Sequence, residues 1–264
     1  MITQWSLPQH DYWSTPFAEA LLHHVDLVPG ASVLDIACGE GVPAYYLAEQ
    51  VGPTGQVLAI DLSPSQIARA RAIQGRHLPW LRFDCLDMRA LPSSLGAFDR
   101  ITGNLAVMFL RPNRFQAVQG LVHHLNQGGQ LTLSFPSLGT FDSLWRRIDG
   151  EMAARGLVAE RGRLAAYVAE RPSAEEGRRW LNDLGLERID VTEWPLEVRA
   201  EPGLSFLHHP LLRRGFLDDA YECFENSRLA DQVMKTVADD LQTFTPLIAH
   251  RCVLSGWKKK QESA

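Results

Sequence analysis

Short apolar runs and helical stretches take turns from Phe17 to Phe135, and this alternation confines the chain to an α/β architecture with a parallel sheet. A helix is expected over Phe17–Val28, stopped by Pro29-Gly30. Ser32–Ala37, Gln56–Asp61, Trp80–Asp84, Phe98–Asn104 and Gln130–Phe135 read as strands. In the second of these, Val57, Leu58, Ala59 and Ile60 are all apolar, as in a strand covered on both faces. Helices are expected at Val42–Gln50, from Ser63 (N-cap) and Pro64 (first turn), and over Asn113–Leu125. Asn126–Gly129 reads as a turn. After Pro136 the rhythm changes. Phe141–Leu157 and Ser173–Leu184 look helical, Glu187–Val198 contains a strand, Glu201–Leu247 is largely helical, and His250–Lys258 closes as a strand. The expectation is one domain over 1–264. Residues 1–28 would form an N-terminal helix or lid, and 137–172 and 200–247 would be insertions.

A chain of 264 residues can bury a large core without covalent staples. Its formal charge of −5 argues against a broad nucleic-acid surface. Cys38, Cys85, Cys223 and Cys252 show no CxxC spacing, so no zinc site is read and reduced thiols in a cytoplasm are expected. No signal peptide and no membrane span are apparent.

The most informative local segment is Val33-Leu34-Asp35-Ile36-Ala37-Cys38-Gly39-Glu40-Gly41. Glycines between a strand and a helix let a ligand approach the backbone. Taken alone, Gly39-x-Gly41-x-x-Ala44 also fits a dinucleotide fingerprint. Three carboxylates narrow the choice. Asp35 lies inside the strand, where a buried carboxylate is costly without a polar partner; a cationic aminoacyl-sulfonium would supply one and a pyrophosphate would not. Asp61 ends the next strand and can accept from a ribose diol. Asp87 follows the third strand and can accept from an adenine amino group, with the Met88 amide near a ring nitrogen. Alternatives stand beside each reading. Asp35 could cap the glycine loop, Asp61 could be a turn residue, Asp87 could be a turn or N-cap residue with Asp84 competing, and Leu62 could be core rather than an adenine face.

Together Val33–Gly41, Ala59–Pro64, Asp87–Pro92, Phe98–Asn104 and Leu125–Leu131 make the sequence resemble the class I methyltransferases, in particular the branch similar to ubiquinone- and menaquinone-biosynthesis methyltransferases. The resemblance covers about residues 30–135. It implies a Rossmann-like, mainly parallel seven-stranded sheet of order 3-2-1-4-5-7-6, with the last strand antiparallel and helical insertions after strands 5 and 6. It also implies S-adenosyl-L-methionine as cofactor. The cofactor set carried over is Asp35, Ala37, Cys38, Gly39, Gly41, Asp61, Leu62, Asp87, Met88 and Asn104, with Tyr12 or Trp13 as a lid, since an aromatic face suits a sulfonium. Ala37 stands where the family often has glycine.

Methyl transfer from an activated donor mainly needs positioning, and a base only where the acceptor carries a proton to remove. No catalytic residue is therefore assigned, although His208 and His209, in the late insertion where such enzymes usually build their acceptor pocket, are candidates. A helix entry at His209-Pro210 is the competing reading. If the acceptor is acidic, Arg146, Arg147, Arg213 and Arg214 are the cations to examine. Asn104 is followed by Leu-Ala-Val rather than Pro-Pro-Tyr, no Pro-Cys pair occurs, and no catechol-type metal site is recognisable. These absences favour a small organic acceptor methylated on O, C or N. RNA or protein methylation is the alternative. A Rossmann oxidoreductase is the more distant one, since no Tyr-x-x-x-Lys pair is present.

Overall fold

The computed structural model describes residues 12–74, 77–199, 204–209, 212–213, 217–243 and 245–260. Pro210 and Arg214 lie outside them, as do the first eleven residues of the expected lid. The described elements are α1 (Ser14–His24), β1 (Ser32–Ile36), α2 (Val42–Val51), β2 (Gln56–Asp61), α3 (Pro64–Gln74), β3 (Leu81–Cys85), β4 (Phe98–Gly103), α4 (Arg114–His123), β5 (Leu125–Pro136), α5 (Asp142–Ala154), α6 (Val158–Ala169), α7 (Ala174–Asp183), β6 (Glu187–Val198), α8 (Ser227–Asp239) and β7 (Leu247–Trp257), with short helical turns between β6 and α8.

The strands form one sheet in the expected order, β3-β2-β1-β4-β5-β7-β6. The pairs β1–β2, β1–β4, β2–β3 and β4–β5 are parallel. Strand β7 runs antiparallel to β5. The Lys258 amide donates to Gly129 at one end, and the Ser137 amide donates to His250 at the other, so residue numbers rise along one strand as they fall along the other.

Internal contacts divide the chain into two compact units. The first comprises Met1–Phe135, Ala174–Thr192 and Cys252–Ala264; the second comprises Pro136–Ser173 and Glu193–Arg251. In the first unit, alternate strand residues feed two apolar layers. Val33, Val57, Ala59, Leu81 and Phe83 pack with Leu47, Ala48, Ile67 and Ala70 of α2 and α3. Leu34, Ile36, Ile101, Leu131 and Leu133 pack with Val118 and Leu121 of α4 and Trp180 and Leu181 of α7. The period-two side-chain alternation of strands produces both layers.

Polar side chains fix where elements stop. The buried Gln130 donates from Nε2 to the His24 carbonyl (2.7 Å) and the Ser255 hydroxyl (2.8 Å), and its Oε1 accepts from the Asp26 amide (2.8 Å). Helix α1 therefore ends at His24 and not at Val28: the next turn's backbone is used by the sheet. Asp99 accepts from the amide and hydroxyl of Ser32 (both 2.9 Å) and from Asn126 Nδ2 (2.9 Å), tying the starts of β1, β4 and β5 together. The expected turn at Asn126–Gly129 is instead the first part of β5, because the Gly128 amide donates to Lys258 of the neighbouring chain segment.

The second unit is helical apart from its strand ends. Leu144, Trp145, Ile148 and Met152 form the buried side of α5, the buried Phe141 precedes it, and Leu164 contributes from α6. Arg171 is buried over the rings of Trp145 (4.5 Å) and Tyr167 (5.0 Å) and donates to the Thr140 carbonyl (2.9 Å) and the Tyr167 hydroxyl (3.0 Å). A guanidinium held this way trades water for aromatic faces and directed acceptors.

Candidate functional site

In an open doubly wound sheet, ligands bind beyond the carboxyl ends of the strands at the point where strand order reverses. Here that point lies between β1 and β4. Both strands run into a non-glycine residue in the left-handed region, Ala37 (φ +50°) after β1 and Leu105 (φ +55°) after β4. Such backbone costs energy and persists where surrounding structure imposes it, typically at ligand sites.

The loop after β1 is built from the backbone outward. The Cys38 amide donates to the Ile60 carbonyl, and the Gly41 amide turns back to Cys38. Gly41 has φ +88°, and a Cβ there would lie 2.7 Å from the Phe83 ring, so only glycine fits. Gly39 is also left-handed, but a Cβ there would meet nothing within 4 Å. Gly41 is required by packing; Gly39 opens onto space where another molecule can approach the loop.

Asp61 closes the loop from β2. Its Oδ2 accepts from the Gly39 amide and its Oδ1 from the Ser63 amide, each at 2.9 Å. These two bonds use one lone pair of each oxygen and leave the others for a diol. Leu62, the next residue, is 61% exposed and is therefore not core. An exposed aliphatic face beside a carboxylate that caps the glycine loop suits a flat ring.

Asp35 is fully buried on β1. Its Oδ1 accepts from the Thr102 hydroxyl at 2.7 Å, while Oδ2 has no hydrogen-bond partner. Burial pushes its pKa up to about 7; the Thr102 bond opposes that rise, and the Asp61 charge adds to it. A buried carboxylate oxygen without a partner is a costly arrangement, and a cationic group of a ligand would relieve it. The sequence reading missed Thr102. Its signal was a hydroxyl in the otherwise apolar run Ile101–Gly103, directly opposite Asp35 in the β1–β4 register.

The remaining expected residues fall into two groups. Cys38 is buried beneath the loop, its thiol pKa raised by burial and then by Asp35 and Asp61. Met88 is half-buried and packs against the apolar layer under α4. Asp87 is bound by its own neighbour: Arg89 donates from Nε and Nη2 to the carboxylate and from its backbone amide, which holds Asp87 below the usual carboxylate range. Asn104 is used structurally, donating to the Ser14 carbonyl (3.1 Å) and accepting from Ser134 (2.7 Å), which in turn accepts from the Leu105 amide. This network ties the first residue of α1 to the strained segment after β4. Trp13 is only 2% exposed and packs on Phe17 at 5.1 Å, while Tyr12 is half-buried at the entry to α1.

In the second unit, His208 is exposed with its ring 6.2 Å from Tyr221, and His209 caps the preceding turn through its amide and accepts from the Arg213 amide. Arg147 pairs with Asp240 (2.9 Å), and Arg213 pairs with Asp218 (2.5 Å) while lying over Tyr221. Arg146 contacts only the carbonyl of Asp142, at 3.3 Å, among the described residues. A cavity of about 710 Å³ opens along α5 and α6, lined by Leu138, Trp145, Arg146, Arg161, Leu164 and Val168. This is within the range of small-molecule sites.

Comparison with known proteins agrees with this geometry. Residues 33–129 match a family described as methyltransferase domain. The matched segment contains the glycine loop, Asp35, Asp61 and Thr102. Aklanonic acid methyltransferase from Streptomyces sp. (strain C5) is 32% identical over 133 residues, covering 49% of this chain and 60% of that protein. Demethylmenaquinone methyltransferase from Lactococcus lactis is 35% identical over 101 residues, 37% of each chain. The chain spans about half the length of the first curated relatives it matches. Among solved structures, the [4+2]-cyclase SpnF superposes with a TM-score of 0.57 at 17% identity, covering 93% of this chain and 80% of that one. That similarity concerns the fold alone, and the reaction must be argued from the site.

Proposed function

We propose that the protein is an S-adenosyl-L-methionine-dependent methyltransferase acting on a small organic acceptor. The observation that carries this reading is the unpartnered Oδ2 of the buried Asp35 beneath a glycine loop whose Gly39 opens outward. A dinucleotide would bring phosphates toward this loop, and a second anion beside a buried carboxylate is unfavourable. An aminoacyl-sulfonium brings positive charge instead.

When bound, the cofactor supplies a methyl group already activated for displacement. The chain's own residues hold it: Asp61 through the ribose hydroxyls, the Leu62 side chain against one face of the adenine, Asp87 and the Met88 amide at the adenine edge, and the Ala37–Gly41 backbone along the aminoacyl portion. Tyr12 and Trp13 would shield it from the α1 side. Because an in-line displacement mostly requires alignment and exclusion of water, these contacts account for much of the catalysis.

Several observations favour a small acceptor. The printed names of two relatives refer to small molecules, aklanonic acid and demethylmenaquinone. The net charge of −5 is unsuited to a broad nucleic-acid surface, so nucleic acid is not the proposed partner. Among the described residues no helix is long and apolar enough to cross a membrane; a cytoplasmic enzyme is the reading that four cysteines without a disulfide support.

Calorimetric titration of the full chain with S-adenosylhomocysteine and, separately, with NAD tests the proposal. Binding of S-adenosylhomocysteine without NAD is the expected result. The opposite pattern would refute it.

A further inference from the structure

The second unit holds a cavity that is complete without the first. Every residue lining its volume of about 710 Å³ falls between Leu138 and Ala169, inside the continuous segment Pro136–Ser173 of that unit. Clefts of this size between packed helices are ordinary places for small ligands.

Two helix faces make its walls. On α5, Asp142, Trp145, Arg146 and Asp149 recur at the three- and four-residue spacing of a single face. Trp145 is held in place on several sides. Its Nε1 donates to the Thr140 carbonyl (2.7 Å), its ring meets Tyr167 edge-on at 5.8 Å, and the Arg171 guanidinium lies 4.5 Å from the ring centre. On α6, Leu164 and Val168 supply apolar wall, while Gly162 and Ala165 leave the backbone nearly bare. Gly162 sits inside α6, where glycine costs about 0.5–1 kcal/mol relative to alanine. A Cβ there would meet nothing within 4 Å, so packing among the described residues does not call for glycine. What the missing side chain provides is volume beside the cavity.

The charges on this apolar lining are not all paired. Arg161 donates to both oxygens of Asp149, at 2.8 and 2.9 Å, which makes that pair neutral. Asp142 and Arg146 stand one turn apart on α5, where Cβ atoms lie about 5–6 Å from each other. Among the described residues no salt bridge joins them or ties either to a third group. The side-chain hydrogen bond of Arg146 is the 3.3 Å contact to the Asp142 carbonyl, and the Asp142 carboxylate acts on the buried Arg171 through its field alone. An unpaired cation by itself would favour any anion, but the neighbouring carboxylate opposes one. Two unlike charges side by side, summing to zero, match a group that carries both signs.

We propose that this cavity binds a zwitterion with an apolar, ring-bearing body, the chemistry of an aromatic α-amino acid or a compound built on one. The carboxylate of the ligand faces Arg146, its ammonium faces Asp142, and its ring lies against Trp145, Leu164 and Val168. Burial of the body supplies affinity, and the two charges select the head group. The site uses no residue of the glycine loop and stands independently of the cofactor reading.

Calorimetry of the full chain with three probes that share one body tests this. 3-(2-Naphthyl)-L-alanine carries both charges, its N-acetyl derivative only the carboxylate, and its methyl ester, at about pH 6, only the ammonium. The zwitterion is expected to bind saturably and each of the other two on the order of tenfold more weakly. Arg146→Gln should erase the advantage of the zwitterion over the ester, and Asp142→Asn its advantage over the N-acetyl compound. Gly162→Leu fills the cavity while raising the helix propensity of α6, and should remove binding of all three probes. The three substitutions lie outside the glycine loop, so they report on this cavity. Absence of saturable zwitterion binding, equal affinity for the three probes, charge preferences that survive Arg146→Gln and Asp142→Asn, or unchanged binding in Gly162→Leu overturns the proposal.

Discussion

Replacing Asp35 with asparagine isolates the energetic cost on which the cofactor assignment depends. The substitution keeps the shape of the side chain and removes its ionisation. In the unfolded chain the carboxyl ionises from about its ordinary value of 3.8, whereas in the folded protein burial holds the proton until about 7. The sign follows from this difference. The contribution of a protonated Asp35 is fully present below 3.8 and is lost as pH rises toward about 7, because only the unfolded state gains by ionising in that window. A rise from 3.8 to about 7 corresponds to about 4 kcal/mol, and the residue is fully buried, so solvent screening removes little of it. Asparagine has its own constant cost from amide packing beside Thr102. The diagnostic quantity is therefore the change in the difference between variant and wild type across pH. Urea denaturation of both proteins without ligand, at about pH 4 and about pH 8, should show the variant gaining as much as about 4 kcal/mol relative to wild type on going from acid to base. A difference that stays constant between the two pH values would refute the account of Asp35 as a strained, charge-seeking carboxyl.

Further outcomes follow from the same geometry. The affinity of the wild-type protein for S-adenosylhomocysteine should rise with pH toward about 7, where Asp35 ionises, and Asp35→Asn should abolish that dependence, as read by calorimetry across the range. Asp61→Ala removes the acceptor for the Gly39 and Ser63 amides and should weaken S-adenosylhomocysteine binding by about 1–3 kcal/mol; an unchanged dissociation constant would place the ribose elsewhere. Gly41→Ala forces a Cβ into the Phe83 ring at φ +88° and should lower the melting temperature, with a loss of about 1–3 kcal/mol. Gln130→Leu strands the Asp26 amide and leaves the His24 carbonyl and Ser255 hydroxyl without their donor, and should cost a similar amount, about 1–3 kcal/mol, in denaturant unfolding without altering ligand affinity.

What the sequence discloses and what it hides divide along a physical line. The alternation of strands and helices and the glycine loop are legible because local pattern determines them: consecutive apolar residues in β2, a proline-started α3, glycines after β1; the strand order comes from the resemblance to the methyltransferases, not from local pattern. The stop of α1 at His24 was not legible, because Gln130, 106 residues away, captures the backbone that would have made the next turn. Helix α6 was absorbed into an irregular insertion because its outward face carries Arg161 and Arg163, whose partners Asp149 and Cys223 come from other elements. The partner of Asp35 was hidden for the same reason, since Thr102 becomes its neighbour only through strand pairing.

The histidines show the same division. The neighbours His208 and His209 drew attention in the sequence, but adjacency along the chain does not place two rings in one environment. His123 and His124 illustrate this: His124 is buried and its Nδ1 donates to the Gly96 carbonyl (2.7 Å), so it serves the fold. His24 likewise spends Nδ1 on the Ala20 carbonyl within its own helix. His250 stands alone in the sequence, in a strand, and 57 positions separate it from Glu193. It is that separation, closed by the β5-β7-β6 order of the sheet, that brings the imidazole Nδ1 to 3.3 Å from a carboxylate oxygen. A contact assembled from two strands and the loop after a third cannot be read from spacing, because its geometry belongs to the sheet edge and not to any one segment.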